Sequence, residues 1–378
     1  MNVDRREFLS LAAAVAASLA GRGSLAAGAP VAKLYQGAVV IDGLGGPGGM
    51  DTESGVPLTS AEVEDVRTSG VTAFNLTVGA VGTMPSLEAF EKIVRDIARW
   101  EGEIDRHPGA LARVRSVEDI RDAKRAGRAG LVYGLQDGVS FEDDLDRLSA
   151  LRQLGVRVIQ PTYNRRNLLG DGCMERADAG LSAAGLEAIE RLNQLGILVD
   201  LSHCGRRTAT DAIAASRRPV AFTHTGCAAL AEHPRHRTDA ELRSVAEKGG
   251  VVGIYVMPYL ARGRQPRAAD VIAHLEHALE VCGEDHVSIG TDGTLSSVEL
   301  TPEFVAQFRE NVRRRKELGI AAPDETEEGY LFASDLNAPR RLETLAQLLI
   351  DRGHGEARVE KLLGANLLRV FGEAWQPA

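Results

Sequence analysis

Aromatic residues are scarce in this chain: Phe, Trp and Tyr make up 4% of its 378 residues. Basic residues are outnumbered, 44 Lys and Arg against 53 Asp and Glu, for a formal charge of −9. A nucleic-acid-binding surface needs a basic face and, for single strands, stacking aromatics. Both are missing, which excludes nucleic acid as a partner. Beyond the N-terminal segment no apolar run is long enough to span a bilayer, and no short repeat marks a coiled coil or collagen. The four cysteines, Cys173, Cys204, Cys227 and Cys282, are too scattered for a zinc-knuckle pattern. They read as small buried apolar residues, and their spacing gives no disulfide pairing. What is present is 44% apolar and 26% charged residues, the composition of a globular protein long enough to bury a full core. Length alone allows one large domain or two ordinary ones.

The N-terminus reads as an address. Asp4-Arg5-Arg6-Glu7-Phe8-Leu9-Ser10 precedes an apolar stretch from Leu11 to Ala20 and then small residues up to Ala29. A basic start, a short apolar core and an Ala-x-Ala-like end are the three parts of an export signal. The paired arginines resemble a bacterial twin-arginine signal, which exports folded proteins to the periplasm or beyond. Cleavage after Ala26 is preferred, and Ala27-Gly28-Ala29 also fits the small-residue rule. Residues 1–29 are therefore expected to be a twin-arginine-type signal, and residues 30–378 one domain with C-terminal helices.

Eight short apolar runs alternate with amphipathic stretches. The runs are Ala38–Ile41, Val71–Leu76, Gly130–Tyr133, Val156–Ile159, Ile197–Leu201, Pro219–Phe222, Val251–Tyr255 and Val287–Gly290. Most are β-branched without polar alternation, as strands covered on both faces should be. Between them, Ser182–Leu195 carries Leu186, Ile189 and Leu192 at helical steps, with Gly196 placed to end it. Glu142–Leu154 and Asp239–Lys248 behave alike. The pattern predicts an α/β fold, a (β/α)8 barrel, with a doubly wound open sheet as runner-up. Against the open sheet, no Gly-x-Gly-x-x-Gly turn follows the first strand. The charge-rich stretches Arg113–Arg128 and Arg313–Lys316 read as solvated faces, and Ala321–Gly329 as a surface loop. Asn75-Leu76-Thr77 matches a glycosylation pattern, discounted because it falls in a strand.

A barrel places its chemistry at the C-terminal ends of its strands. Gln136 and Asp137 follow the third run, Tyr163 and Asn164 the fourth, His203 the fifth, His224 the sixth and Asp292 the eighth. One histidine after a strand is ordinarily structural. Two after neighbouring strands, with a carboxylate on the eighth, converge on the barrel mouth, and imidazole with carboxylate suits zinc, iron or manganese. His233 and His236 flank Arg235 in a loop, and His274 and His277 sit at i, i+3 on what reads as an exposed helix face.

Several segments together resemble one family. They are Leu154-Gly155-Val156-Arg157, Leu198–His203, Phe222-Thr223-His224, His233-Pro234-Arg235, Gly290-Thr291-Asp292 and Gly364–Phe371. In this order they are similar to the membrane dipeptidase (renal dipeptidase-like) zinc peptidases, a metallo-dependent hydrolase type of barrel. The resemblance implies two zinc ions at the barrel mouth, a homodimer, and roles for matching residues. His203 and His224 match the ligands of the second zinc, Arg235 the receptor of the substrate carboxylate, and Asp292 the proton-transfer aspartate. Other positions depart from the pattern. The family's first strand ends Asp-Gly-His-x-Asp, where this chain has Asp42-Gly43-Leu44-Gly45-Gly46, so both first-zinc ligands are absent at Leu44 and Gly46. The bridging glutamate falls at Gln136, and a substrate-contacting histidine at Tyr163.

The expectation is an exported dipeptidase-like metallohydrolase with at most one metal, zinc or another divalent ion. His203, His224 and Gln136 are its candidate ligands, Asp292 and Tyr163 its catalytic residues, Arg235 and Asn164 its substrate-binding residues. The alternatives are a repurposed lyase or a hydrolase of another small carboxylate, metal-free, or a binding protein without activity.

Overall fold

The computed structural model describes residues 29–49, 55–82 and 84–376. The expected signal lies outside the described residues except for Ala29, which opens the helix Ala29–Gly37. Eight parallel strands pair in chain order: β1 (Ile41–Asp42), β2 (Ala73–Thr77), β3 (Ala129–Leu135), β4 (Val156–Ile159), β5 (Leu198–Asp200), β6 (Val220–Cys227), β7 (Val251–Ile254) and β8 (Val287–Ile289). Between β8 and β1, Gly43 donates its N–H to Ile289 O at 2.9 Å, and Gly293-Thr294 pairs with Gly45-Gly46 just beyond. The expected (β/α)8 barrel is the observed fold. Each of the eight apolar runs became a strand, within a few residues, because β-branched chains buried on both faces suit a parallel sheet under helices.

The helices start and stop where local chemistry dictates. Ser182 caps Ala183–Leu195 by accepting from Gly185 N, and Gly196 ends it at φ 66°. Thr238 and Glu241 form a reciprocal capping box on Asp239–Glu247. The helix expected from Glu142 begins only at Arg147. Its first residues form turns, with Asp144 accepting from Asp146 N, since short acidic side chains compete with helical bonding. A short strand, Leu111–Arg113, pairs along β3, so the Arg113–Arg128 stretch is a strand end followed by the helix Val117–Arg125.

The barrel interior is a packed core. Ile41, Ala73, Val132, Val158, Leu198, Ala221 and Val251 from successive strands meet Leu367, Val370, Phe371 and Trp375 of the C-terminal helix Asn366–Ala374 and its end. That helix plugs the barrel at the foot of the strands and leaves the opposite face for the loops. Nearer that face, three glycines from different strands crowd one carbonyl. A Cβ on Gly43 would stand 2.8 Å from Thr223 O, and one on Gly253 or Gly290 would overlap the same atom. β1, β7 and β8 therefore approach the backbone of β6 as closely as chains can.

Candidate active site

The strand ends hold a cavity of about 240 Å³ lined by Gln136, Tyr163, Asn164, His203, Arg235 and Asp292 among others. Six of the seven residues singled out from the sequence thus share one space. The seventh, His224, lies beside it fully buried, its ring 5.0 Å from that of His203.

Both imidazoles are held by their Nδ1 atoms. Asn164 donates its amide N–H to Ile320 O at 2.8 Å, which turns its Oδ1 toward His203 Nδ1 at 2.7 Å. Thr223 donates its hydroxyl to Asp200 at 2.6 Å, so its oxygen is left to accept from His224 Nδ1 at 2.8 Å. Each ring therefore carries its proton on Nδ1 and keeps its lone pair on Nε2. Both Nε2 atoms are buried without a hydrogen-bond partner among the described residues. Burial, and after it the Arg235 cation, hold both rings well below the usual histidine range, so they are neutral at physiological pH.

Arg235 is buried against backbone: its guanidinium donates to Ser202 O and, at 3.1 Å, to His224 O. Tyr163 stacks on His203 with centroids 4.1 Å apart. Asp292 has φ 57°, the one positive φ outside glycine among the described residues, and its N–H donates to Leu44 O at 2.8 Å. A non-glycine residue held there is over-determined by its surroundings, a condition that clusters at functional sites.

Among the described residues, the acidic side chains nearest in sequence do not replace the absent first-strand ligands. Leu44, Gly45 and Gly46 line a second cavity that shares Gln136, Tyr163, Asp292 and Arg315 with the first. Asp42 is committed elsewhere, accepting from Thr291 N at 2.7 Å and Thr291 Oγ1 at 2.6 Å, and burial raises its pKa to about 6. Asp137 turns away to Gly82 N and Asn167 Nδ2, and burial raises it likewise to about 6. Gln136 donates to Thr77 Oγ1 at 2.8 Å. Among the described residues, no group of three or more His, Cys, Asp and Glu side chains comes together so as to hold a metal ion. The residues present fit one ion on two imidazole nitrogens, with its remaining positions open, and do not fit two.

Some of the site departs from the sequence reading. Arg315, taken with its neighbours as solvated, turns inward and donates to Tyr163 OH at 3.2 Å and to Glu325 at 2.5 Å. Glu325, on the segment expected to be a surface loop, is 3% exposed. The helix Pro302–Glu317 carries Phe304, Phe308, Asn311 and Arg315 on one face, and all four line the cavity. Their helical spacing was a readable signal. Asn164 lines the cavity with its amide engaged with His203 and Ile320, so it also orients an imidazole. His274 is also buried rather than exposed, its Nδ1 accepting from Cys227 N at 2.9 Å. Asn75, on the discounted glycosylation pattern, is buried in β2, and all four cysteines are free thiols.

Comparison with known proteins places the chain among relatives of the same fold. A model described as membrane dipeptidase, peptidase family M19, matches residues 48–308. Dipeptidase verJ of Clonostachys rogersoniana is 27% identical over 270 residues, covering 71% of this chain; the matched stretch spans 61% of that relative's own length. A crystal structure of an amidohydrolase from Pseudomonas aeruginosa superposes with a TM-score of 0.77 at 33% identity, covering 91% of this chain and 99% of that one. The probable dipeptidase PvdM, also from Pseudomonas aeruginosa, gives 0.75 at 19% identity over 92% and 98% of the two chains, a likeness of fold.

Proposed function

The chain belongs to the membrane dipeptidase family, peptidase family M19, and on that footing we propose that it hydrolyses a dipeptide or related small amide with at most one metal ion. One observation carries this reading: two neutral imidazoles with centroids 5.0 Å apart keep Nε2 atoms without a partner among the described residues, and the His203 ring shares its cavity with Asp292 and Arg235. His203 and His224 would hold the ion, zinc or another divalent metal, with Gln136 as a further candidate donor. Such an ion, when bound, acidifies water and polarises a carbonyl.

The remaining work falls to the chain's own side chains. Asp292 lines both cavities and is assigned to moving the proton between attacking water and leaving amine. Tyr163 OH accepts from Arg315, so its own proton is available to a substrate oxygen, and a positive charge stands behind it. Arg235 is pinned by two carbonyls and offers its remaining donors to a substrate carboxylate. Asn164 and Thr223 keep the two imidazoles in one tautomer and one orientation. The Arg5-Arg6 signal supports export to the periplasm or beyond; among the described residues no helix is long and apolar enough to cross a membrane.

Metal content of the purified full-length chain tests the reading. One equivalent or less is expected, lost in the His203→Ala/His224→Ala double variant. Two equivalents per chain overturn the one-ion limit. No metal together with no dipeptide hydrolysis moves the assignment to a lyase, a hydrolase of another small carboxylate, or a binding protein.

A further inference from the structure

The chain is poor in aromatic residues, yet of its nine phenylalanines and six tyrosines the site cavity takes Tyr163, Tyr259, Phe304, Phe308, Tyr330 and Phe332. Four of these form a contiguous wall. Phe308 and Tyr330 lie 5.3 Å apart between centroids, Phe304 and Phe308 6.1 Å, and Tyr330 and Phe332 5.9 Å. The wall does not simply fill the core: Phe304, Tyr330 and Phe332 are each only half-buried. It is built by the helix Pro302–Glu317 and the segment after it, so the helix presents a graded face, aromatic at Phe304 and Phe308, then an amide at Asn311, then a cation at Arg315.

The same space is also lined by polar groups: the neutral His203, the charged Arg235 and Asp292, and Arg315 on the helix beyond the aromatic residues. A ligand that satisfies both linings has a polar reacting end and a flat apolar end. Rings of this kind favour stacked or edge-on contact with another ring, and burying a phenyl group is among the larger single contributions to small-ligand affinity. Cationic side chains are a weaker match, because Arg315 and Arg235 already make the polar end positive and Glu325 is committed to Arg315.

We infer that the substrate carries an aromatic side chain, seated on Phe304, Phe308, Tyr330 and Phe332, with its amide facing His203 and Asp292. The inference rests on the hydrolase reading for the identity of the reacting group but not for the existence of the aryl subsite. Two measurements on the full-length protein separate them. In the first, Ala-Ala, Ala-Phe, Phe-Ala and Ala-Lys are compared as substrates. An aryl dipeptide is expected to show a KM about ten- to hundredfold below that of Ala-Ala. Phe304→Ala should shrink that ratio toward one. Phe304, half-buried at the rim, is the variant of choice because Phe308 is 2% exposed and also packs the helix.

In the second measurement, binding of hydrocinnamate and propionate is titrated calorimetrically, with no turnover required. Tighter binding of hydrocinnamate, weakened in Phe304→Ala, supports the subsite. Hydrolysis of Ala-Ala or Ala-Lys as efficient as that of the aryl dipeptides overturns the subsite and leaves the hydrolase reading standing. No hydrolysis of any dipeptide, with hydrocinnamate still preferred, overturns the hydrolase reading and leaves the subsite. Equal binding of the two acids overturns the subsite outright.

Discussion

Asp292 is the residue at which backbone and chemistry are least separable. Its φ of 57° is comfortable for Gly and tolerable for Asn or Asp, whose short side chains accept the left-handed region. Asp292→Asn therefore keeps the backbone and removes only the ionisable group. Turnover is expected to fall about a hundredfold or more, while the urea midpoint of unfolding stays with that of the parent. Activity and stability falling together would instead make Asp292 a structural residue. At this scale the sequence was informative about identity and silent about orientation. His203, His224, Arg235 and Asp292 stood at strand ends where a barrel gathers its chemistry. That Asn164 orients His203 depends on Ile320 O, distant in sequence, which no local pattern reports.

At the scale of elements, the eight strands were legible because each is an uninterrupted apolar run, whereas their crossings were not. Gly43, Gly253 and Gly290 sit within or beside those runs, yet nothing in the runs says that all three press on Thr223 O. The register between β6 and β7 shifts at Gly253, which is how a backbone accommodates such an approach. Gly290→Ala introduces a Cβ where only backbone fits and is expected to cost about 1–3 kcal/mol of stability, read from chemical denaturation. Thr223 also orients His224, so metal affinity should weaken in the same variant. An alanine there without loss of stability would show that β6 and β8 can move apart. The helix Pro302–Glu317 teaches the complementary lesson. Its run of basic residues masked a face, since Arg315 belongs with Phe304, Phe308 and Asn311 and not with its immediate neighbours.

For the whole molecule, acid is the condition that distinguishes folded from unfolded chain. Behind the site, His233, His236 and His274 pack ring to ring, with centroids 5.4 and 5.5 Å apart. Burial pushes His233 down to about 3 and His274 to about 4, and holds His236 well below the usual range. The unfolded chain takes up protons on these rings near pH 6.5, where the folded chain refuses them. Their contribution to stability is complete above about pH 6.5 and is lost as pH falls from there toward 4. Asp42 and Asp137, raised by burial to about 6, pull the other way between about 6 and 4. Replacing one buried ring isolates the effect: His274→Asn should flatten the decline in unfolding free energy between pH 6.5 and 5 by about 1 kcal/mol per pH unit. Denaturant titrations at several pH values measure it, and an unchanged slope in the variant would sink the assignment.

The bare end of the first strand bears on what it would take to add a second ion. A second metal ion would ask for histidine at Leu44, aspartate at Gly46 and glutamate at Gln136, by the pattern this family follows. A Cβ on Gly46 would meet only the tip of Leu76, at 2.8 Å, a group free to swing aside, whereas one on Gly45 would strike the carboxylate of Asp42. The cavity beside Leu44 and Gly46 therefore stays open to larger side chains. Adding the second ion's ligands would take three substitutions, none at the position that forbids a side chain.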